Sequence, residues 1–384
     1  MTTHVLIVDK DTFQQHLKYK FIGTGNGKPF LFNNVNTSNN IHSATEKNQF
    51  GMLADCNRMR IGDYVIFYLQ QSSNIGGFFG LFKVSSLPFI HKEQNENNYP
   101  ELTKNLEYRA FIEPYKVYES PVSEWEALDD IQRLTSPCQM LWSLIYRKLK
   151  GNRGNTMITL YESERLISLI MLKNNRNCLN LQKNESLKYN QETNKLEIVQ
   201  EQFEVYRKER ECIDIKNRII FKDSQNQKYE THLQAYITQN IGTNSVASLD
   251  EALFSENEHV IWIGNEVSCG VGMQRMDIVV VTEKDGQELD NIYVIELKCT
   301  PLNTDNIKQM YRYIDWISQY YLPNKQSIVC PILLTKKDDN ENKISQDINK
   351  EIEHFSTKFN GLVNMCPLKL VFYEINNDDI LFSV

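Results

Sequence analysis

Two apolar segments with charged residues at matching ends constrain the fold of this chain more than any other feature. Residues 275–283, RMDIVVVTE, and residues 291–300, NIYVIELKCT, predict two strands around a polar turn. Asp277 opens the first strand, and Glu296 and Lys298 lie near the end of the second. An antiparallel hairpin brings such ends together, and residues two apart project from one face of a strand. We therefore expect three ionisable groups to converge at the edge of an otherwise apolar hairpin.

These three groups suit a divalent cation and the hydrolysis of a phosphodiester. Asp277, Glu296 and the backbone carbonyl of Leu297 supply oxygen ligands of the kind that Mg²⁺ or Mn²⁺ prefers. A bound cation lowers the pKa of a water molecule, and Lys298 is suited to hold that water or to stabilise the transition state. The alternative is an exposed Glu-Lys pair on a strand, which is the commoner meaning of this spacing when it stands alone.

The helix predicted at 304–321 places two more polar side chains near the hairpin. Gln309 and Tyr313 are four residues apart, so they share one face, while an apolar stripe faces the core. An amide and a phenol on that face are suited to orient a phosphate or the lysine. Glu230 lies on the polar face of a helix predicted at 229–241. It is either a further carboxylate of the site or an ordinary solvated side chain.

Residues 229–321 resemble the PD-(D/E)xK nuclease superfamily, through the runs MDIVVVTEKDG, YVIELK and IKQMYRYIDWI. The last run carries the QxxxY motif of the RecB-like branch, and the whole is most similar to the C-terminal domain of NucS-type endonucleases. The resemblance implies a restriction-endonuclease-like mixed sheet flanked by helices, with one active site that uses Mg²⁺ or Mn²⁺. The implied site residues are Glu230, Asp277, Glu296, Lys298, Gln309 and Tyr313. Met276 stands where the family commonly has Pro, Ile or Val, and the turn between the strands is longer.

The first 172 residues predict a second mixed α/β unit, which makes the fold class α/β (α+β) overall. Strands are expected at 4–9, 29–35, 62–70, 76–86 and 108–118, and helices at 120–131, 138–149 and 159–172. Ser123 and Thr159 are the expected caps of the first and last helix. Residues 173–220 are rich in Asn, Gln, Lys and Glu, and we interpret them as a connecting region that contains a polar hairpin.

Residues 30–84 are similar to the YTH/EVE branch of PUA-like domains, through FLFNNVNTSNNIHSA, NRMRIGDYVIFYLQ and GGFFGLFKVSS. Those small barrels flip a modified base into an aromatic cage, so the resemblance implies a modified-base reader over residues 1–172. Base capture needs stacking rings and a few hydrogen-bonding groups. The candidates are Phe50, Tyr68 and Trp142, with Asn33 and Ser43 as polar contacts. Each aromatic residue taken alone is more often part of a core.

A basic run near residue 150 is a candidate nucleic-acid contact. Its members are Arg147, Lys148, Lys150 and Arg153. Two glycines beside them, Gly151 and Gly154, permit a close approach to phosphate. The alternative is an ordinary solvated helix end, where cations also favour the helix dipole.

The distribution of charge assigns nucleic-acid affinity to the N-terminal half. The formal charge is −7, with 14 Lys and Arg against 24 Asp and Glu in residues 221–384, but 18 against 17 in residues 1–171. Clustered carboxylates suit divalent cations and repel a phosphate backbone. We therefore expect the C-terminal domain to hold DNA poorly by itself.

Composition places the chain among globular proteins. Hydrophobic residues make up 41% and charged residues 24%, and no apolar run approaches the roughly 18 residues that span a bilayer. The start, MTTHVLIVDKD, lacks the basic and apolar regions of a secretory signal, so a cytoplasmic protein without membrane association is expected. The eight cysteines show no CxxC spacing, which favours reduced thiols over a zinc site.

Taken together, the sequence predicts a metal-dependent DNA endonuclease for restriction or phage defence. Residues 1–172 would form a domain that reads a flipped modified base. Residues 173–220 would connect the two domains, and residues 221–384 would form the domain that cuts the DNA. Two alternatives stay open, a NucS-like repair nuclease specific for structure or mismatch, and a binding module whose nuclease fold is silent. RNA stays open as a substrate, and so does a homodimer, because nucleases that cut both strands often dimerise.

Overall fold

The chain divides into two compact units in the computed structural model, which describes most of the sequence. The described residues are 1–25, 43–70, 76–91, 101–102, 104–145, 154–201, 210–211, 215–269, 274–322, 327–337, 345–361, 364–376 and 378–384. The N-terminal unit comprises Met1–Phe32, Asp55–Thr135 and Gln139–Ile213, and the C-terminal unit comprises Asn33–Ala54, Ser136–Cys138 and Asp214–Val384. Across the described residues, no helix has the length and apolar character needed to cross a membrane.

The N-terminal unit is a mixed α/β structure. Its strands are β1 (Thr3–Val8), β2 (Phe21–Thr24), β3 (Tyr64–Leu69), β4 (Gly77–Val84), β5 (Phe89–His91), β6 (Tyr108–Pro114), β7 (Val122–Ser123), β8 (Asn155–Ile158), β9 (Ser186–Asn190), β10 (Lys195–Val199) and β11 (Arg210–Glu211). Its helices are α1 (Lys10–Tyr19), α3 (Glu124–Asp129), α4 (Trp142–Ile145) and α5 (Leu160–Lys173), and α2 (Ser43–Asn57) ends in it.

One sheet organises this unit. Its described strands run in the order β11-β5-β6-β4-β3-β1-β8, with β2 paired to β6 and β7 paired to β4. Apolar residues of β1, β3, β4 and α5 pack into a common core, including Val5, Ile66, Phe78 and Leu166. The strands predicted at 4–9, 62–70, 76–86 and 108–118 are thereby confirmed, and the one predicted at 29–35 lies outside the described residues.

Helix boundaries follow local capping chemistry. Ser123 caps α3 and Thr159 caps α5, as predicted, each in a capping box with the Glu three residues later. The helix predicted at 138–149 is wrong over its described part, where only the short α4 forms. The Ser143 N–H donates to the Glu162 carboxylate (2.7 Å), so it is not available for a helix that runs through this point.

The region predicted to connect the domains belongs largely to the N-terminal unit. Its polar hairpin is confirmed as β9 and β10, which pair antiparallel. Backbone N–H groups tie the hairpin to this unit, Leu196 to the carbonyl of Glu119 (2.9 Å) and Tyr189 to the side chain of Gln14 (2.9 Å). The predicted division at 173–220 therefore differs from the structural one, which falls near residue 214.

The first part of α2 belongs to the C-terminal unit, although the sequence analysis assigned it to the N-terminal domain. The buried Glu46 carboxylate accepts hydrogen bonds from Arg218 (2.6 Å) and Lys222 (3.2 Å) and lies 2.9 Å from a ring nitrogen of His232. Buried charges are tolerated only when they are paired and hydrogen-bonded. This cluster therefore fixes the start of α2 within the C-terminal unit.

The C-terminal unit is built on one mixed sheet with helices packed against it. Its elements are α6 (Lys216–Ser224), α7 (Glu230–Asn240), α8 (Ala247–Leu253), β12 (Glu258–Cys269), β13 (Gln274–Lys284), β14 (Asn291–Lys298), α9 (Thr304–Trp316), β15 (Ile328–Lys336), α10 (Gln346–Phe359), β16 (Lys369–Ile375) and β17 (Ile380–Ser383). The described strands run in the order β12-β13-β14-β15-β16-β17. β14, β15 and β16 are parallel, and the other pairs are antiparallel.

Burial explains why β13 and β14 are apolar. Val279, Val280, Val294 and Ile295 are all buried, and α7 and α9 both pack against β14. A strand covered in this way shows a continuous apolar run rather than alternation. Charged residues within these two strands are therefore costly, and their location needs a specific explanation.

Candidate active site

The hairpin of β13 and β14 brings the predicted carboxylates together. Ile278 pairs with Ile295, which places Asp277 beside the end of β14. Asp277 Oδ2 accepts a hydrogen bond from the backbone N–H of Leu297 (2.9 Å). The antiparallel register thus does what the sequence pattern predicts, and the aspartate lies next to the Glu-Leu-Lys segment.

Glu296 and Lys298 form a close ion pair at this place. Lys298 Nζ donates to Glu296 Oε1 at 2.5 Å, and the glutamate side chain is 1% exposed while that of the lysine is 16% exposed. The other oxygen, Oε2 of Glu296, is buried and forms no hydrogen bond of normal geometry with the described residues, although the Asp277 carboxyl and the Tyr313 hydroxyl lie close enough to lower the pKa of Glu296. A buried carboxylate oxygen with no partner is costly in a folded protein, so a cation or a water molecule at this oxygen would stabilise it.

Burial and the neighbouring charges shift the pKa values of all three groups. Burial raises the pKa of Asp277, and the negative charge of Glu296 raises it further. Burial also raises the pKa of Glu296, although Lys298 beside it acts in the opposite direction. Burial lowers the pKa of Lys298, but the carboxylates of Glu296 and Asp277 outweigh this and hold it above its ordinary value. The two carboxylates therefore repel each other, and Lys298 stays a cation at neutral pH.

The donors at this site fit a hard divalent cation. Within the described ranges, no group of three or more His, Cys, Asp or Glu side chains is arranged to hold a metal ion. Asp277 and Glu296 are instead two carboxylates at one place, and together with the backbone carbonyl of Leu297 that the sequence suggested, they would hold Mg²⁺ with water as its further ligands. The partnerless oxygen of Glu296 is the observation that supports this fit.

Gln309 and Tyr313 hold the backbone at the start of β13. Gln309 Nε2 donates to the Tyr313 hydroxyl (2.5 Å), which donates to the carbonyl of Arg275 (2.8 Å). Tyr313 is buried, and burial followed by the charge of Glu296 raises the pKa of its hydroxyl. The sequence predicts that this pair orients a phosphate or the lysine, whereas here both groups bind each other and the backbone two residues before Asp277.

Helix α7 approaches the site from its first turn. Glu230, its first residue, is exposed, and its charge is a small contribution to the raised pKa of Asp277, after burial and Glu296. Gln234, one turn later, donates from Nε2 to the Asp277 carbonyl (2.9 Å). Sequence reasoning missed Gln234, although its spacing of four from Glu230 places both on one helix face.

A chain of hydrogen bonds behind Lys298 was also missed. The Tyr373 hydroxyl lies 3.3 Å from the Lys298 carbonyl and 3.0 Å from the Tyr229 hydroxyl. Tyr229, which precedes α7, donates to Asp223 Oδ1 (2.9 Å), and Lys336 donates to the same oxygen (2.6 Å). Both phenols are buried. The chain links the end of β14 to the residue before Glu230, across positions that are distant in sequence.

The predicted base-pocket residues that the structure describes are divided between the two units. Phe50 belongs to the C-terminal unit, is buried, and its ring centroid lies 3.8 Å from that of His232. Tyr68 belongs to the N-terminal unit, where its ring packs on Phe78 and its hydroxyl bonds to Glu124. Phe50 is therefore placed as a core residue, the commoner role that the sequence analysis gave each aromatic.

Other predicted contacts fall at the limits of the described residues. Trp142 is partly buried at the start of α4. Ser43 begins α2, but its side chain is not described, and Asn33 lies outside the described residues. The basic run Arg147, Lys148, Lys150 and Arg153 also lies outside them.

A groove of about 1610 Å³ opens on the N-terminal unit. Asp9, Tyr68, Gln70, Glu124, Trp125 and Lys173 are among its lining residues. Trp125 is 57% exposed, which is unusual for so large a ring. The sequence analysis did not single out Trp125, although its indole on the capped helix α3 is an exposed ring at the groove.

Comparison with known proteins gives only distant likenesses. No family model and no curated protein matches the chain. Among solved structures, human THYN1 protein in complex with 5-methylcytosine containing DNA is 10% identical with a TM-score of 0.25, and covers 44% of this chain and 97% of that one. The DUF55 domain of human thymocyte nuclear protein 1 is 14% identical with a TM-score of 0.28, covering 44% and 99%. Rpa0253 from Rhodopseudomonas palustris is 11% identical with a TM-score of 0.26, covering 45% and 94%. At these values the likeness supports no conclusion about the fold or function of this chain.

Proposed function

We propose that the chain is a Mg²⁺- or Mn²⁺-dependent endodeoxyribonuclease whose C-terminal unit hydrolyses phosphodiester bonds. The observation that carries the proposal is the convergence of Asp277, Glu296 and Lys298 at the end of an apolar hairpin. One carboxylate oxygen there has no partner among the described residues. Such an arrangement costs stability, so a chemical role explains it better than a structural one.

Each residue has a defined task in this reaction. Asp277, Glu296 and the carbonyl of Leu297 hold the cation, which when bound supplies an activated water and neutralises charge on the phosphodiester. Lys298 is held as a cation by the two carboxylates beside it. It therefore donates hydrogen bonds to the attacking water or to a phosphate oxygen, and does not accept a proton. Gln234, Gln309 and Tyr313 keep the β13 backbone in place around Asp277.

The N-terminal unit, in this proposal, is a PUA-like domain of the YTH/EVE type that reads a flipped, modified base in DNA. Two observations support it, the similarity of the segments NRMRIGDYVIFYLQ and GGFFGLFKVSS to that branch and the groove beside Tyr68. The exposed indole of Trp125 offers a stacking surface for a base at the groove. A modified-base reader joined to a nuclease is suited to restriction or phage defence.

Cleavage of defined DNA substrates tests the catalytic part. The full chain is incubated with Mg²⁺ or Mn²⁺ and plain, base-modified, mismatched and branched duplexes, beside Lys298→Ala and the matched control Lys284→Ala. Lys284 lies at the opposite end of β13, so its loss removes one positive charge far from the site. We expect cutting that chelation abolishes, and a loss of about 10²–10³-fold in Lys298→Ala only.

The outcomes separate the alternatives. Equal cutting of plain and modified duplexes would contradict recognition of a modified base but would still support the nuclease activity. Cutting confined to mismatched or branched substrates would favour a NucS-like repair nuclease. No metal-dependent cutting of any substrate, with Lys298→Ala identical to wild type, would leave a nucleic-acid-binding module with a silent nuclease fold.

A further inference from the structure

Two arginines lie beside the candidate active site and take no part in the chemistry described above. Arg275 is two residues before Asp277 on β13, so both side chains leave the same face, roughly 6 to 7 Å apart along the strand. Arg312 is exposed on α9, directly before Tyr313. Their guanidinium groups are the fork-shaped donors that match phosphate.

Each arginine is linked by a hydrogen bond to the element that carries the other one. Arg312 Nε donates to Gln274 Oε1 (3.1 Å), the side chain next to Arg275. The Tyr313 hydroxyl donates to the Arg275 carbonyl (2.8 Å). Both arginines are therefore carried by a fixed strand and a fixed helix, which favours precise contacts over a loose cationic surface.

One buried thiol, that of Cys269, is affected by the charges of both Arg312 and Glu296. Cys269, at the end of β12, is buried, and burial raises the pKa of its thiol to about 12. The negative charge of Glu296 adds to this rise, and the positive charge of Arg312 opposes it. One thiol thus lies within electrostatic range of both groups.

Glu266 occupies the position across from Asp277 and binds Arg275. Asn265 pairs with Ile278 and Val267 with Met276, so Glu266 faces Asp277 in the register of β12 and β13. Its φ is 48°, a left-handed conformation that residues other than glycine rarely adopt and that recurs at functional sites. Its carboxylate accepts from Arg275 Nη1 at 2.5 Å.

We propose that Arg275 and Arg312 form a clamp for the nucleic-acid phosphates that flank the scissile one, with Glu266 holding Arg275 until a phosphate replaces it. This inference rests on the nuclease function proposed above. The clamp supplies positive charge where the acidic C-terminal unit needs it. Arg275 is 44% exposed and has further N–H donors beyond the one used by Glu266, so a phosphate reaches it from solvent.

Salt-dependent binding tests the clamp without relying on cleavage. Affinity of the full chain carrying Lys298→Ala for a fluorescent DNA duplex is measured in EDTA over a series of salt concentrations. Adding Arg275→Gln or Arg312→Gln should reduce the slope of log affinity against log salt by about 0.9 for each lost phosphate contact. Lys284→Gln, at the far end of β13, should leave the slope unchanged.

A variant of Glu266 should change the affinity for DNA in the opposite direction. Glu266→Gln keeps the shape of the side chain and releases Arg275, so binding should become several-fold tighter. Glu283→Gln, an exposed residue near the far end of β13, is its matched control. Thermal unfolding of every variant confirms that the fold is retained.

The results distinguish failure of the clamp from failure of the nuclease. Loss of slope in the arginine variants, with no cutting by any form of the chain, would support phosphate binding by the two arginines and overturn the nuclease. Normal cutting by wild type, with arginine variants that bind like Lys284→Gln, would overturn the clamp alone. Absence of DNA binding by the Lys298→Ala chain, or weaker binding by Glu266→Gln, would also overturn the clamp.

Discussion

Two buried glutamates, one in each unit, differ in how fully their carboxylate oxygens are hydrogen-bonded. Glu162 in the N-terminal unit and Glu296 in the C-terminal unit are both almost fully buried, and burial raises the pKa of each. Glu162 accepts bonds from the backbone and hydroxyl of Ser143 and from the Thr159 N–H, which uses both oxygens. Glu296 has one oxygen on Lys298 and the other without a partner among the described residues.

Glu162 and Glu296 are equally buried, and they differ in whether both carboxylate oxygens accept hydrogen bonds. A buried carboxylate that caps two chain segments stabilises the fold, and substituting it costs stability without touching a reaction. A buried carboxylate that faces a second one, and has one oxygen without a partner, weakens the fold, and a bound cation would offset this cost. The variants below test whether this distinction separates the two units.

The largest effect is expected at a third buried glutamate, in the C-terminal unit. Glu46→Ala leaves Arg218, Lys222 and His232 without their shared carboxylate, which should reduce the free energy of unfolding by about 3–5 kcal/mol. Urea denaturation of the full chain measures this. A loss below about 1 kcal/mol would contradict the account of this cluster.

The same cluster predicts a pH dependence. Burial acts to raise the pKa of Glu46, but the bonds from His232 and Arg218 outweigh it and hold the pKa below the ordinary value of 4.5. A lowered folded-state pKa contributes stability that is present above the unfolded value and is lost as the pH falls below it. As the pH falls below 5, the free energy of unfolding should therefore decrease more for wild type than for Glu46→Gln. If the free energies of unfolding of the two proteins change in parallel with pH, this contribution is ruled out.

The next effect separates the two glutamates of the comparison. Glu296→Gln should reduce metal-dependent cleavage by about 10²–10³-fold, because a ligand of the cation is lost, while the fold is retained. Glu162→Gln should leave the cleavage rate per folded molecule unchanged and reduce the free energy of unfolding by about 1–3 kcal/mol. Initial rates and denaturation curves of both variants measure this: we expect a loss of rate in Glu296→Gln and a loss of stability in Glu162→Gln. An equal loss of stability in both would remove the distinction.

A smaller effect is expected in the groove of the N-terminal unit. Trp125→Ala should weaken binding of base-modified DNA by about 1–3 kcal/mol, the value of one stacked base, with no change in stability. Ile131→Ala is a matched control, because Ile131 is 60% exposed and Trp125 is 57% exposed. Fluorescence anisotropy with modified and plain duplexes measures this, and equal affinities of the two variants would exclude the groove as the reading site.

The smallest effect is expected behind Lys298. Tyr373→Phe removes the hydroxyl that contacts the Lys298 carbonyl and Tyr229, and kcat should fall about two- to tenfold, ~0.5–1.5 kcal/mol, with KM unchanged. Tyr311→Phe is the control, because that hydroxyl bonds to the Glu351 carbonyl instead. A rise in KM at constant kcat would show that Tyr373 does not position the lysine.

The sequence alone predicts the parts of this molecule that follow local rules. The register of β13 and β14 follows from two apolar runs and one turn, so the meeting of Asp277 with the Glu-Leu-Lys segment was predictable. The caps Ser123 and Thr159 were predictable because each stands three residues before a Glu. Both cases depend on contacts within one hairpin or one helical turn.

Contacts between distant positions were not predictable from pattern. Glu46 meets Arg218 across 172 positions and His232 across 186, and Tyr373 meets Tyr229 across 144. No periodicity connects such positions, so the burial of Phe50 against His232 was as inaccessible as the partners of Glu46. Gln234 is the exception, because its helical spacing from Glu230 was available.

The initial rate of duplex cleavage as a function of Mn²⁺ concentration shows whether Asp277 and Glu296 bind a cation that the reaction requires. It is measured for the full chain and for Asp277→Asn, Glu296→Gln and Glu162→Gln. We expect a saturable rise with Mn²⁺ in wild type and Glu162→Gln, and a rise that is smaller by about 10²-fold or more in the other two. Identical Mn²⁺ curves for Glu296→Gln and wild type, or no Mn²⁺ response in any chain on any duplex, would contradict this expectation.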